Sequence, residues 1–245
     1  MMNETIDLLL NHMSIRRYKD KPVERKTVNT IIRCAQMAPT SSHFQAYTII
    51  EIQDKIKREF LSKVAGDQRW VKEAPLVFLF CADLHRCKEY FEETDPEVFS
   101  NTESYTVAVI DATLAMQKGF IAAQSLGLGG VVVGGIRNNV EAVAKEFELP
   151  ELVFPLYALC LGYPDEVPGL KPRFPQEEIH NIDFYDESKR NELITQYNKE
   201  IKDYYIERTN GKIQDRWTQR CGRMLMAKTR DDVGYFVRKM GFLKR

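Results

Sequence analysis

Between residues 104 and 126 the chain carries Val107, Ala108, Ile110, Ala112, Leu114, Ala115, Met116, Phe120 and Ile121, apolar side chains spread around most of a helix circumference rather than along one stripe. A helix of that kind has to be covered on nearly all sides, so the rest of the fold must wrap it. Asp111 stands in its middle, and a carboxylate there needs a partner, either structural or across a subunit boundary. Pro75 opens a second demanding segment, Leu76-Val77-Phe78-Leu79-Phe80-Cys81. A continuous apolar strand is covered on both faces, which makes it a central strand.

The remaining elements follow from caps and periodicity. Asn3 predicts the start of a helix with Ile6, Leu9, Leu10 and Met13 on one face. Pro22 introduces a second, with Val28, Ile31, Ile32 and Ala35, stopping near Ala38-Pro39. A β-rich run follows at 46–52, then a helix capped by Asp54 and carrying Ile56, Phe60 and Val64. Gly127 to Gly130 are expected to cap the long apolar helix and make a tight turn before a buried strand, Val131-Val132-Val133. A helix with Val140, Val143, Ala144 and Phe147 and a strand at 153–161 complete the pattern. Helices around a few short, buried strands define an α+β sandwich. Beyond it, Leu193, Tyr197, Ile201, Tyr204 and Tyr205 stripe a long helix, and Val233, Phe236, Val237 and Met240 a last one. With the core expected to be complete by Leu161, the carboxy-terminal third is expected to wrap another part of the fold or another subunit. The expected division is a core over 1–180 and a helical extension over 181–245.

Composition excludes several classes. Thirty-five basic residues balance thirty-five acidic ones with no block of one sign, which disfavours a nucleic-acid partner. No apolar run is expected to reach the roughly 20 residues of a membrane span, and the start lacks the pattern of a signal peptide, so a cytoplasmic protein is expected. The five cysteines include no C-x-x-C pair, and Cys34, Cys81 and Cys160 lie in apolar surroundings that suit small core residues. The four histidines include no i, i+4 pair, and no metal is expected.

Two basic clusters stand apart in sequence: His12-Met13-Ser14-Ile15-Arg16-Arg17-Tyr18 and Lys171-Pro172-Arg173. Both hold the donors that grip a phosphate through charge-assisted hydrogen bonds. The glycine-rich run 126–135 is no dinucleotide fingerprint, because its first glycines end a helix and precede a strand, whereas that motif follows a strand and opens a helix. Gly134-Gly135, at the carboxyl end of a strand, would let backbone approach a flat ligand. With no Ser-His-Asp or Cys-His arrangement, no Walker loop and no carboxylate pair, an enzyme of this sequence needs a cofactor to carry its chemistry.

Taken in order, His12-x-Ser14-Ile15-Arg16, Pro39-Thr40-Ser41-Ser42-His43-Phe44-Gln45, Gly66-Asp67-Gln68, the run from Gly129 to Asn138 and Leu170-Lys171-Pro172-Arg173 resemble the nitroreductase superfamily. The similarity is to its NADPH-dependent nitro/flavin reductase branch with a long carboxy-terminal extension. That resemblance implies an α/β/α sandwich with a mostly antiparallel sheet, an intertwined homodimer and FMN held without a covalent bond at the interface. It implies ping-pong hydride transfer from NADPH to small-molecule electron acceptors: nitroaromatics, quinones or free flavin. It places His12 and Ser14 at the phosphate and ribityl chain, Lys171 and Arg173 on the phosphate, and Arg16 near the pyrimidine end of the flavin. Thr40 and Ser41 supply hydroxyls, Gln68 touches the ring, and Val132, Gly134 and Gly135 lie along it. Arg208, with Lys212, is assigned to the 2′-phosphate of NADPH. No side chain is strictly catalytic by this reading. Met13 stands where many relatives carry arginine and Val132 where relatives carry tyrosine. Other readings of the residues are a helix-end role for His12, a helix-terminating role for Thr40-Ser41 and a solvated loop position for Gln68. Two other functions are a flavin-dependent reductase of another small oxidised molecule, such as a disulfide, and a non-catalytic flavin-binding module.

Overall fold

A computed structural model of the chain describes residues 3–227 and 229–245. They form two compact units, 1–168 with 230–245, and 169–229.

In the first unit Asn3 caps α1 (Glu4–Leu10) by accepting the Ile6 N–H at 3.0 Å, and Leu9 and Leu10 remain exposed. α2 (Arg25–Gln36) turns Val28, Ile31 and Ala35 inward. A 3₁₀ turn at Ser41–His43 leads into β1 (Tyr47–Glu51). Asp54 caps α3 (Lys55–Val64) by accepting the N–H groups of Ile56 and Lys57; Leu61 is its buried anchor, while Ile56 faces solvent. There follow α4 (Arg69–Glu73), β2 (Leu76–Asp83), α5 (His85–Tyr90), α6 (Thr102–Ser125), β3 (Gly129–Val133), α7 (Val140–Glu146) and β4 (Val153–Gly162).

The strands make one sheet in the order β1-β2-β4-β3, every neighbouring pair antiparallel. β2 is central, as its apolar run demands, and its side chains alternate faces with a period of two. Leu76, Phe78 and Phe80 join a core with Val28 and Ile31 of α2 and Met116 and Phe120 of α6. Val77, Leu79 and Cys81 join another with Leu61 of α3, Val71 of α4 and Val143 of α7. The result is a helix–sheet–helix sandwich. Each fully buried large side chain contributes about 1.5–3 kcal/mol of transfer free energy.

The structure corrects several readings of the sequence. α6 is long and apolar enough to cross a membrane by length and composition. Half of its most apolar window is buried by protein, and it holds the buried Asp111, so it is the core helix of the sandwich. Of the glycines, Gly127 (φ +79°) closes the helix in a Schellman arrangement, with Leu128 N–H donating to the Ala123 carbonyl and Gly127 N–H to that of Gln124. Gly129 and Gly130 instead belong to β3, where a Cβ would fall 2.5 Å from Ile15 Cγ1 and 2.3 Å from the Cys160 carbonyl oxygen respectively. Among the cysteines, Cys81 and Cys160 are core residues as expected, whereas Cys34 is only half-buried and Cys87 is buried.

The second unit contains α8 (Gln176–Ile179), α9 (Arg190–Arg208) and α10 (Trp217–Met226). Tyr197, Ile201 and Tyr205 of α9 bury against Phe174 and Trp217, so the aromatic stripe is satisfied within its own unit. The chain then returns to the first unit, where α11 (Asp232–Lys239) and the residues after it add Phe236, Val237 and Phe242 to a core containing Ala108, Ala112 and Phe154. Leu152 N–H donates to the Met240 carbonyl at 2.7 Å. The core is therefore not complete at Leu161: the periodicity of the last helix announced an apolar face but not the surface it would meet.

Candidate functional site

The segment that leaves α1 runs along the outer strand of the sheet. Ser14 forms a parallel bridge with Gly130 of β3, and Ile15 N–H donates to the Gly130 carbonyl at 2.9 Å. This contact is close because Gly129 and Gly130 have no side chains, which is the local reason β3 begins with glycine. Tyr18 fastens the next turn, its single hydroxyl proton shared between the Ile15 carbonyl at 2.8 Å and, more weakly, the Cys160 carbonyl at 3.3 Å. Burial pushes the Tyr18 phenol well above its ordinary pKa, so it acts there as a donor.

Fixed in this way, Arg16 is exposed beside the end of the sheet. Its guanidinium lies over the Trp70 ring, 5.4 Å from the centroid, and its Nη1 is 3.4 Å from the Ser14 carbonyl oxygen. Glu166, on the segment after β4, receives the backbone N–H groups of Arg16 and Arg17 and pairs with the Arg17 guanidinium. Gln68 stands at the start of α4, two residues before Trp70, and its amide donates to the Ala65 carbonyl at 2.7 Å. A Cβ on Gly135 would lie 2.7 Å from Gln68 Nε2 and 2.8 Å from the Ala65 oxygen. Gly135 is thus demanded by packing against the end of α3, and Gln68 is a structured neighbour of the glycine pair rather than a solvated loop residue. Val132, on β3, is 38% exposed, not buried as its apolar run suggested. Arg137, one turn beyond the glycines, donates to the Leu156 carbonyl, and burial lowers its pKa below the usual arginine value.

His12 is half-buried beside α6, its ring in contact with Phe120 and Gln124. His12, Ser14, Arg16, Gln68, Val132, Gly134 and Gly135 therefore come from elements gathered on or beside β3. Thr40 and Ser41 do not. They precede β1, at the opposite edge of the sheet, in a loop where Ser42, His43 and Gln45 take positive φ. Asp111 holds that loop: Oδ1 accepts the Ser41 N–H and Oδ2 the Ala46 N–H, both at 3.1 Å. The partner of Asp111 is the backbone of its own chain.

In the second unit Lys171 and Arg173 are exposed. Tyr197 braces their turn by donating to the Pro172 carbonyl at 3.1 Å, and Lys171 Nζ lies 5.5 Å from the Tyr205 ring centroid. Arg208, exposed at the end of α9, donates to the Tyr204 hydroxyl at 2.5 Å. Lys212 is exposed in the turn that follows.

Sequence reading missed Glu166, Trp70 and Gln124. Each acts on a named candidate through one tertiary contact, and none carries a local spacing that would have marked it.

The group around β3 suits an anionic, planar ligand rich in acceptors: cationic Arg16, the Ser14 hydroxyl, the Gln68 amide and backbone at two glycines. Among the described residues, the one buried side-chain polar atom without a hydrogen-bond partner, Trp70 Nε1, belongs to the same neighbourhood and is also a donor. The donor chemistry fits FMN. Among the described residues no cluster of three or more His, Cys, Asp or Glu could hold a metal.

An antiparallel sheet between helical layers, with a donor-rich segment laid along its outer strand, defines an α+β sandwich of the nitroreductase type. Residues 9–163 match the nitroreductase family model and residues 171–245 that of the nitroreductase family, C-terminal domain. The chain is 39% identical over 249 residues to an FMN reductase (NADPH) of Bacillus subtilis, covering 99% of this chain and 100% of that one. It is 35% identical over 244 residues to an oxygen-insensitive NADPH nitroreductase of Salmonella typhimurium, covering 100% of both. The solved structure of the NfrA1 nitroreductase from B. subtilis superposes with a TM-score of 0.96 at 38% identity, covering 99% of this chain and 100% of that one. The chain belongs to the nitroreductase family.

Proposed function

We propose that this chain is an FMN-dependent oxidoreductase that uses NADPH to reduce free flavin, nitroaromatics or quinones in a ping-pong cycle. The observation that carries the reading is the placement of Arg16, Ser14 and Gln68 beside β3 and the Gly134-Gly135 pair that follows it. Full-length similarity to an FMN reductase and to an NADPH nitroreductase supports it. When bound, FMN supplies two-electron transfer between the nicotinamide and the acceptor.

The protein's residues bind, orient and set the electrostatics. His12, Ser14, Lys171 and Arg173 are assigned to the phosphate and ribityl chain. Arg16 would supply positive charge to the ring system, and Gln68 and the backbone at Val132, Gly134 and Gly135 would orient it. Arg208 and Lys212 are assigned to NADPH.

A homodimer belongs to the same reading. Thr40 and Ser41 lie in the loop that leads into β1, the edge of the sheet opposite β3, and in this reading a second copy brings those hydroxyls to the flavin. The exposed Leu9, Leu10, Met37, Ile110 and Leu114 supply an apolar surface for it. The extension beyond residue 180 is read as wrapping the core or the partner, and the location as cytoplasmic.

The test is anaerobic stopped-flow reduction of FMN-loaded protein by NADPH, followed by mixing with a panel of flavin, nitro and quinone acceptors. Rapid bleaching of the flavin and its reoxidation by one or more acceptors are expected. Protein that takes up no FMN, or whose FMN is not reduced by NADPH, overturns the proposal.

A further inference from the structure

Among the described residues the Arg16 guanidinium makes no ion pair, and its one hydrogen bond is a long one, 3.4 Å to the Ser14 carbonyl. Glu166 is committed to the Arg16 and Arg17 backbone N–H groups and to the Arg17 side chain, 3.3 Å away. What meets the Arg16 side chain is the face of Trp70, whose ring centroid lies 5.4 Å from Cζ. Trp70 packs against the core that contains Leu61, Ala65 and Val71, so the sandwich itself fixes the indole. Its Nε1 is buried without a hydrogen-bond partner. Phenylalanine or leucine would fill that space without stranding an N–H, which costs stability when buried. The property in which indole exceeds both is the attraction of its ring face for a cation.

A carboxylate would hold an arginine firmly but would cancel its charge. An aromatic face holds the cation while leaving its charge and its in-plane N–H groups free. We propose that Trp70 is a positioning residue that holds Arg16 as an un-neutralised cation beside the ligand site and thereby makes bound flavin easier to reduce. The inference rests on the functional reading above for the identity of the ligand, while the stacked geometry is a property of the protein alone. Reduction adds electrons to the ring system, so a cation fixed beside it favours the reduced form over the oxidised one. An arginine freed from Trp70 would keep its charge but divide its time among many positions.

Dissociation constants for oxidised FMN and for FMN reduced anaerobically with dithionite are measured on wild type, Trp70→Phe and Trp70→Leu, each also combined with Arg16→Gln. In Trp70→Leu the preference for the reduced form should fall by about three- to tenfold, the worth of one cation–π contact. That is a midpoint potential lower by about 15–30 mV for a two-electron couple. Trp70→Phe, which keeps an aromatic ring in the core, should retain part of the preference. In the Arg16→Gln background neither substitution should change it, because Trp70 acts through Arg16. In flavin-free protein the Arg16 Nε–H resonance, assigned by its absence from Arg16→Gln, should be displaced by the indole ring current in wild type and return to the ordinary arginine position in Trp70→Leu. Equal losses for the two oxidation states, an effect of Trp70→Leu that persists without Arg16, or a wild-type Arg16 resonance at the ordinary position overturns the inference. Wild type that takes up neither form of FMN overturns the functional reading, and with it the effect on reduction, while the resonance still decides whether Trp70 holds Arg16.

Discussion

Glu166 Oε1 lies 2.6 Å from the backbone nitrogen of Arg16, and the same oxygen is shared with the next N–H, that of Arg17, at 3.1 Å. A carboxylate closing two successive N–H groups fixes the direction in which the intervening side chain leaves the backbone, so Glu166 governs Arg16 without touching its guanidinium.

Glu166→Ala is therefore expected to destabilise the flavin-free protein by about 2–4 kcal/mol, since hydrogen bonds to a charged group contribute roughly 1.5–3 kcal/mol each and the pair with the exposed Arg17 side chain adds little. Glu166→Gln keeps both acceptor contacts and should lose about half as much. Urea denaturation measures both. Wild-type stability in the alanine variant would show that the segment is held by its bridge to Gly130 alone.

Asp111 is 1% exposed, and its two oxygens serve two backbone N–H groups of the loop before β1. Asp111→Ala takes the acceptor from both donors, of which the Ala46 N–H is buried, with an expected loss of about 2–4 kcal/mol. Hydrogen exchange at the Ser41 and Ala46 amides should accelerate in the variant far more than exchange in β2. Uniform acceleration would mean that Asp111 supports the whole sandwich rather than this loop.

Those two carboxylates mark the limit of what the chain discloses. Asp111 was legible as a problem, because a charge inside an apolar helix demands a partner, but nothing near it in sequence names Ser41 and Ala46, some 65 to 70 positions away. Glu166 was not legible at all, since one acid in a Pro-rich stretch resembles any solvated residue until the fold lays it beside Arg16, 150 positions earlier. By contrast β2, the Asp54 cap and the long apolar helix were legible, because local burial pattern and capping chemistry determine them. Gly134-Gly135 drew attention because bare backbone can approach a flat ligand, whereas the structure shows Ala65 and Gln68 crowding the place of a Gly135 Cβ. Pairwise tertiary contacts have no period and leave no local trace.

Arg25 grips Glu51 with both guanidinium nitrogens at 2.6 Å, tying the start of α2 to β1. The hydrogen bond from Arg25 holds the Glu51 carboxyl below its ordinary value of 4.5, against a smaller opposing effect of burial. A depressed folded pKa means that the contribution is complete above the unfolded value of about 4.3 and disappears as the pH falls through the lower folded value. Arg25→Met should consequently be less stable than wild type near neutrality, with the deficit shrinking steadily below about pH 4. Chemical denaturation across that range tests it, and a deficit independent of pH would assign the effect to packing of the Arg25 stem.

Arg208 offers the sharpest test of how the reductant is chosen. Its Nη1 donates to the Tyr204 hydroxyl one helical turn earlier, and its guanidinium lies 5.7 Å from the Tyr204 ring centroid, so an exposed cation at the end of α9 is held in one orientation. A preorganised guanidinium loses less entropy when it meets a phosphate than a free one does, which suits a cosubstrate that arrives and leaves in every cycle. The 2′-phosphate is the group that separates NADPH from NADH. Arg208→Ala should raise the Michaelis constant for NADPH by one to two orders of magnitude, the equivalent of about 1–3 kcal/mol for a charge-assisted bond, and leave NADH kinetics nearly unchanged. Tyr204→Phe removes the hydroxyl but keeps the ring and the charge, so it should raise the same constant only severalfold. Steady-state kinetics with both nucleotides decide the assignment: parallel losses for NADPH and NADH would make Arg208 a structural residue of the helix end, and no loss for either would place the selection of NADPH elsewhere in the chain.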